Sequence, residues 1–217
     1  MDVYLPKHFA MEDQQEIVDL VREVGSADFV TVDQSGQPLA TLMPLVWEVS
    51  KADELGTVYM HMARANKHWE SISNGARALA IVHGPQAYIS PSNYAAKAEH
   101  GKVVPTWNYQ AIHFTGTVEV SHDSEYLLEI VSRLTNQHEA TRNQPWQASD
   151  APEDYLAGQL RGIVAITLKV DGVEAKAKLN QNRSVADQIG VVADLTNSEL
   201  RQDKLVAELM KKNLGKN

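Results

Sequence analysis

Apolar residues recur at Ile17, Leu20, Val21 and Val24, with Asp19, Arg22 and Glu23 between them, a spacing that predicts an amphipathic helix over residues 12–24. The period then shortens to two. Phe29-Val30-Thr31-Val32, turn signals at Ser35, Gly36 and Pro38, and the run Leu39 to Trp47 predict a β-hairpin. Val58 to Met62 predicts another strand, Asn66 the N-cap of a short helix through Ile72 that Gly75 closes, and Ala78 to His83 the next strand. Alternation is clearest over residues 111–120. There Ile112, Phe114, Val118 and Val120 share one face and His113, Thr115, Thr117 and Glu119 the other, as in a half-buried strand.

The second half mixes both periods. Leu127, Leu128, Val131 and Leu134 predict a helix over residues 123–142 with Asp123 at its start, where a carboxylate complements the helix dipole. Pro145, Asp150 and Pro152 mark a loop and a helix start, Arg161 to Val170 a strand, and the pattern is helical from Ser184 to the end. Leu205, Val206, Leu209 and Met210 form the packed face of that last segment. Six strands dressed with helices predict an α+β, mainly β chain. The expected architecture is one antiparallel barrel over residues 1–217, with 184–217 as a helical C-terminal extension.

Composition narrows the chemistry. The 217 residues contain no cysteine, which removes disulfides, thiolate catalysis and iron–sulfur ligation. The charged N-terminus lacks an apolar signal region and no apolar run reaches membrane-span length, so a soluble cytoplasmic protein without membrane association is expected. A formal charge of −8 speaks against a general nucleic-acid surface.

Three stretches stand out. Val104-Pro105-Thr106-Trp107-Asn108-Tyr109 concentrates rigid and planar residues; in extended backbone Trp107 and Tyr109 share one face, Asn108 takes the other, and Pro105 ends regular pairing. Aromatics in strands most often fill cores, which is the expectation from composition alone; a wall for a flat ligand is the alternative. His61-Met62-Ala63-Arg64-Ala65-Asn66-Lys67-His68-Trp69 passes from a strand into a helix, where Arg64, Lys67 and helix amides can converge on a phosphate. Lys176-Ala177-Lys178-Leu179-Asn180-Gln181-Asn182-Arg183 reads as a donor-rich loop. Both basic runs equally fit solvated surface loops.

Other chemistries find no motif. The eight histidines show no zinc-helix spacing, since Arg142 follows His138-Glu139 where a second His is needed, so no metal site is expected. Ser90 and Ser92 lack a nucleophile elbow, and Gly36, Gly56 and Gly84 read as turn glycines rather than a dinucleotide loop. No catalytic acid or base is identifiable.

In order along the chain stand Tyr4-Leu5-Pro6-Lys7-His8-Phe9, His61-Met62-Ala63-Arg64-Ala65-Asn66, Gly84-Pro85 with Ala87-Tyr88-Ile89-Ser90-Pro91-Ser92, Val104 to Tyr109, His138-Glu139 and Gln181-Asn182-Arg183. This set resembles the PaiB family of bacterial FMN-binding split-barrel proteins. The resemblance implies a six-stranded antiparallel split barrel that forms a homodimer with FMN at the subunit interface. It further implies either a role as negative transcriptional regulator or a flavin-dependent oxidoreductase activity. DNA as a partner is implied by the family description but supported neither by charge nor by a helix-turn-helix pattern.

Carried over by motif, Thr41, Leu42 and Met43 resemble the strand along the flavin ring. His61, Met62, Ala63, Arg64, Asn66 and Lys67 resemble the passage that holds the FMN phosphate. Trp107 and Asn108 would approach the ring, and Lys178, Gln181 and Arg183 resemble the segment that closes the site. Asn93 and Ala177 stand where the family carries Trp, and the Trp-to-Ala difference beside the expected flavin wall removes a stacking surface worth on the order of 1 kcal/mol beyond its area. The wider fold makes haem binding or haem degradation, or a flavin-free structural dimer, the alternative functions.

Overall fold

The structure, a computed structural model, describes residues 4–215; the last two residues of the expected C-terminal extension lie outside them. Six strands follow α1 (Gln14–Val24): β1 (Ser26–Val32), β2 (Pro38–Ser50), β3 (Asp53–Ala63), β4 (Ala76–Ile89), β5 (Thr106–Ser121) and β6 (Ile163–Lys178). The further helices are α2 (Ala96–His100), α3 (Ser124–Glu139), α4 (Glu153–Leu160), α5 (Val185–Asn197) and α6 (Arg201–Leu214). The strand order is β1-β2-β3-β6-β5-β4, closed by β1 pairing with β4. This is the six-stranded antiparallel arrangement the sequence predicts. The chain packs as two compact units, one of residues 15–82 and 113–173, the other of the segment up to 14 with 83–112 and 174 onward.

In the first unit the hairpin forms where expected, with Ser26 opposite Pro44 and Val32 opposite Pro38. Alternation drives it: Phe29, Leu45, Val58, Met60, Phe114, Ile166 and Leu168 are fully buried, and the Trp47 ring rests 4.8 Å from that of Phe114. Truncating such a core aromatic to alanine costs about 3–5 kcal/mol. Helix α3 lays Leu127, Ile130 and Leu134 against Val46, Leu160 and Ala165. The Asp123 carboxylate caps it by accepting from Tyr126 N at 2.8 Å. Helix α1 stops at Gly25, whose φ of +65° only glycine adopts readily, and whose N–H donates to Val21 O at 2.8 Å.

The second unit is built on α5 and α6. Val191, Leu195, Val206, Ala207 and Met210 form one core with Ala87, Ile89, Tyr94 and Leu179. Ser184 caps α5 by accepting from Asp187 N at 3.2 Å. Gly190 lets the helix reach the Asn93 carbonyl, 2.1 Å from where a Cβ would stand.

Four expectations need correction. The helix after Asn66 is a single 3-10 turn, Lys67–Ser71. The helical tail is two helices, because Ser198 accepts from Leu200 N and donates to Asp203 Oδ2, which turns the chain. Gly84 sits inside β4 and not in a turn; the strand continues through Gly84-Pro85 to Ile89. β6 runs on past Val170 to Lys178, so the first part of the second basic run is strand and not loop. No described helix is long and apolar enough to cross a membrane.

Candidate functional site

Where β3 ends, the Asn66 side chain accepts from His68 N at 3.1 Å and closes the 3-10 turn. Its Nδ2 donates to Thr41 Oγ1 at 3.2 Å, and that hydroxyl lies 2.9 Å from His68 Nδ1. The other ring nitrogen of His68 lies 2.8 Å from Thr31 Oγ1. Thr41 and Asn66, nominated from sequence, thus bond directly, and two residues that were not nominated, His68 and Thr31, extend the network. Burial lowers the His68 pKa and keeps its imidazole neutral. One ring nitrogen then donates and the other accepts, and the rotatable threonine hydroxyls suit either tautomer.

The neighbouring candidates divide. Arg64 is committed to its own unit: Nε donates to Arg161 O at 2.9 Å, Nη2 to Ile163 O at 3.1 Å, and Nη1 lies 3.2 Å from His122 Nδ1. Its carbonyl accepts from Trp69 Nε1 at 3.1 Å. Lys67 projects into solvent, pairing with Glu70 at 2.6 Å. Leu42 and Ala63 are exposed, whereas Met43 and Met62 are core residues. His61 lies on β3 and lines a separate pocket against α3.

In the second unit the parity of β5 holds. Asn108 is fully buried, while Trp107 is 52% exposed, so the core-filling expectation for Trp107 fails. The Trp107 ring meets exposed Tyr88 edge-on at 6.1 Å. Asn108 Nδ2 finds only Met210 Sδ, at 3.4 Å, and Oδ1 has no partner.

Lys178 Nζ donates to Thr106 Oγ1 at 2.6 Å and to the Trp107 carbonyl. Lys176 Nζ donates to Tyr4 O at 3.1 Å and lies 5.5 and 5.6 Å from the Tyr4 and Tyr109 rings; the Arg183 guanidinium stacks 4.9 Å from Tyr94. Burial, and then the charges of Lys176 and Arg183, lower the Lys178 pKa. Gln181 serves its own loop, accepting from Leu179 N at 2.7 Å and donating to Ala177 O at 2.6 Å. Asn180, at φ 64°, donates to the Tyr94 hydroxyl at 3.3 Å, and Ala177 packs on the helical core. Among the described residues no group of three or more His, Asp or Glu is placed to hold a metal.

Residues 3–172 match the protein family described as "Putative FMN-binding domain". The chain is also 34% identical over 214 residues, 99% of each chain, to the protease synthase and sporulation protein PAI 2 of Bacillus subtilis. It belongs to the PaiB-type FMN-binding family. Among solved structures, the FAD and heme binding protein from Mycobacterium smegmatis superimposes with a TM-score of 0.57 at 16% identity, over 82% of this chain and 78% of that one. The conserved hypothetical protein Rv2991 from Mycobacterium tuberculosis gives 0.57 at 11% identity, over 84% and 94%. At such identities the likeness is one of fold, and it agrees with the closed strand order of this family member.

Proposed function

We propose that this family member binds FMN through Lys178, Lys176, Arg183 and Trp107. The observation that carries the reading is the cationic cluster itself. On a protein of net charge −8, Lys176, Lys178 and Arg183 are gathered beside the aromatic rings of Tyr4, Tyr109 and Tyr94, and burial, then the two neighbouring cations, lower the Lys178 pKa. The hydrogen-bond acceptors of Lys176 and Lys178 are neutral oxygens. A phosphate supplies the missing anion, and the exposed Trp107 supplies a face for a planar ring.

Bound FMN supplies one- or two-electron transfer; the protein side chains hold and orient it. Arg64 and Gln181 position backbone in this reading, since their polar groups are already engaged. Homodimer formation and a regulatory role follow the family resemblance.

Titrating the protein with FMN while following flavin fluorescence tests the proposal. Saturable uptake is expected, with Lys178→Ala weakening it about tenfold to a hundredfold, the worth of a charge-assisted hydrogen bond. No uptake, or uptake indifferent to both Lys178→Ala and Trp107→Ala, overturns it. Native mass spectrometry of the loaded protein is expected to show a dimer carrying two FMN.

A further inference from the structure

We infer that the pocket between β3 and α3 is a second ligand site, for a small uncharged heteroaromatic molecule that carries a donor and an acceptor on one edge. The pocket is a solvent-open depression of about 360 Å³, the low end of the range for small-molecule sites, and its walls include Pro44, His61, Leu134, His138, Glu139 and Trp146. It belongs wholly to the first unit. None of these walls takes part in the FMN reading except His61, which the family motif nominates but the structure turns toward α3.

Two walls are deliberately fixed. Glu139 Oε2 accepts from the Trp146 backbone N–H at 3.1 Å, while Oε1 pairs with Arg142 Nε at 2.9 Å. One carboxylate therefore pins the loop that presents the indole, and both its oxygens are engaged. Opposite, the His138 ring lies against Gly25, with Cε1 2.8 Å from where a Cβ would stand. Any side chain at position 25 displaces that imidazole.

The chemistry of the walls selects the guest. Trp146 and Pro44 favour a flat ring, and Leu134 an apolar edge. Glu139 is already paired with Arg142, so the pocket offers no net charge to recruit a cation or an anion and suits an uncharged guest. His61 contributes the polar contact. Its Nδ1 is buried with no hydrogen-bond partner, an unfavourable state that a guest can relieve. In this inference the guest reaches that nitrogen once the ring turns about χ2, and adjacent donor and acceptor groups on the guest satisfy it in either tautomer. Lactams and azoles have such an edge.

The test uses the full-length protein with histidines labelled with ¹⁵N, titrated with 2-pyridone and benzimidazole at pH 7.5, and with benzoate and benzamidine as charged controls. The neutral probes are expected to shift the His61 ring nitrogens and quench Trp146 fluorescence, read as the difference from Trp146→Ala. Trp146→Ala is expected to weaken binding about tenfold, and Thr135→Trp, which fills the rim, to abolish it. Should Thr135→Trp unfold, Trp146→Ala still decides. Neutral probes binding no better than the charged pair, or binding without a His61 shift, overturn the inference. FMN uptake unchanged in Trp146→Ala separates this site from the flavin.

Discussion

Lowering the pH below about 6.5 is expected to destabilise the first unit through two neutral imidazoles, His61 and His68. Both have pKa values depressed below 6.5, in each case by burial. The sign follows from proton counting. Between the depressed folded value and the unfolded value of about 6.5, the unfolded chain binds a proton that the folded chain refuses, so stability rises with pH across that window. Above it neither state is charged and the term vanishes. The slope is bounded by about 1.4 kcal/mol per pH unit for each imidazole, so about 2.7 for the pair. Asp33 and Asp171, whose carboxyls are held below the usual range chiefly by Ser35 and by Arg77, act in the opposite region. Their stabilisation is present above about 3.8 and lost as pH falls through the lowered values. Urea unfolding in steps from pH 7.5 to 5 measures the slope. His68→Gln is expected to remove about half of it and His61→Gln with His68→Gln nearly all. A flat profile in the wild type, or an unchanged slope in the double variant, refutes the assignment.

Three further substitutions probe packing. Gly190→Ala drives a methyl within 2.1 Å of the Asn93 carbonyl, and a loss of about 1–3 kcal/mol is expected in chemical denaturation; a neutral result shows that α5 can back away. Gly116→Ala places its methyl 2.0 Å from the Lys169 carbonyl on the adjoining strand, with a similar or larger loss expected in the same assay. Asn108→Leu removes a buried amide whose oxygen has no partner, so stability is expected to hold or rise. FMN titration of that variant then separates the two roles open to Asn108. Undiminished affinity makes it a core residue, and a tenfold loss makes it a flavin contact.

Local periodicity was enough to locate every strand, because inward positions such as Phe29, Met60 and Phe114 recur at intervals of two. It failed at strand ends. Gly84 reads as a turn glycine and the predicted strand stops at Val170, yet Asp171 and Gly172 continue it, held across the sheet by Arg77 pairing with Asp171 and Thr115 Oγ1 donating to Gly172 O at 3.4 Å. Those partners are 57 and 94 residues away. His68 escaped for the same reason: in sequence it is one member of a basic run, and its role appears only once Thr31 and Thr41 arrive from the hairpin. Gln181 shows the converse. A donor-rich residue in a loop reads as a ligand contact, but its amide is satisfied two and four residues away.

The alternation that misled nothing is the one that bears on function. In β5 it sends Asn108 inward and Trp107 outward; in β6 it buries Ala175 and leaves Lys176 and Lys178 beside the aromatic residues of β5. Folding therefore fixes the cations near one another before any ligand arrives, and the lowered Lys178 pKa records burial first and then the repulsion from Lys176 and Arg183. A dianionic phosphate relieves the same repulsion, and so its binding should raise the Lys178 pKa; a ligand engaging only Trp107 should leave it unchanged. Measuring the Lys178 ammonium titration with and without inorganic phosphate distinguishes the two, and an unmoved titration removes Lys178 from the anion site.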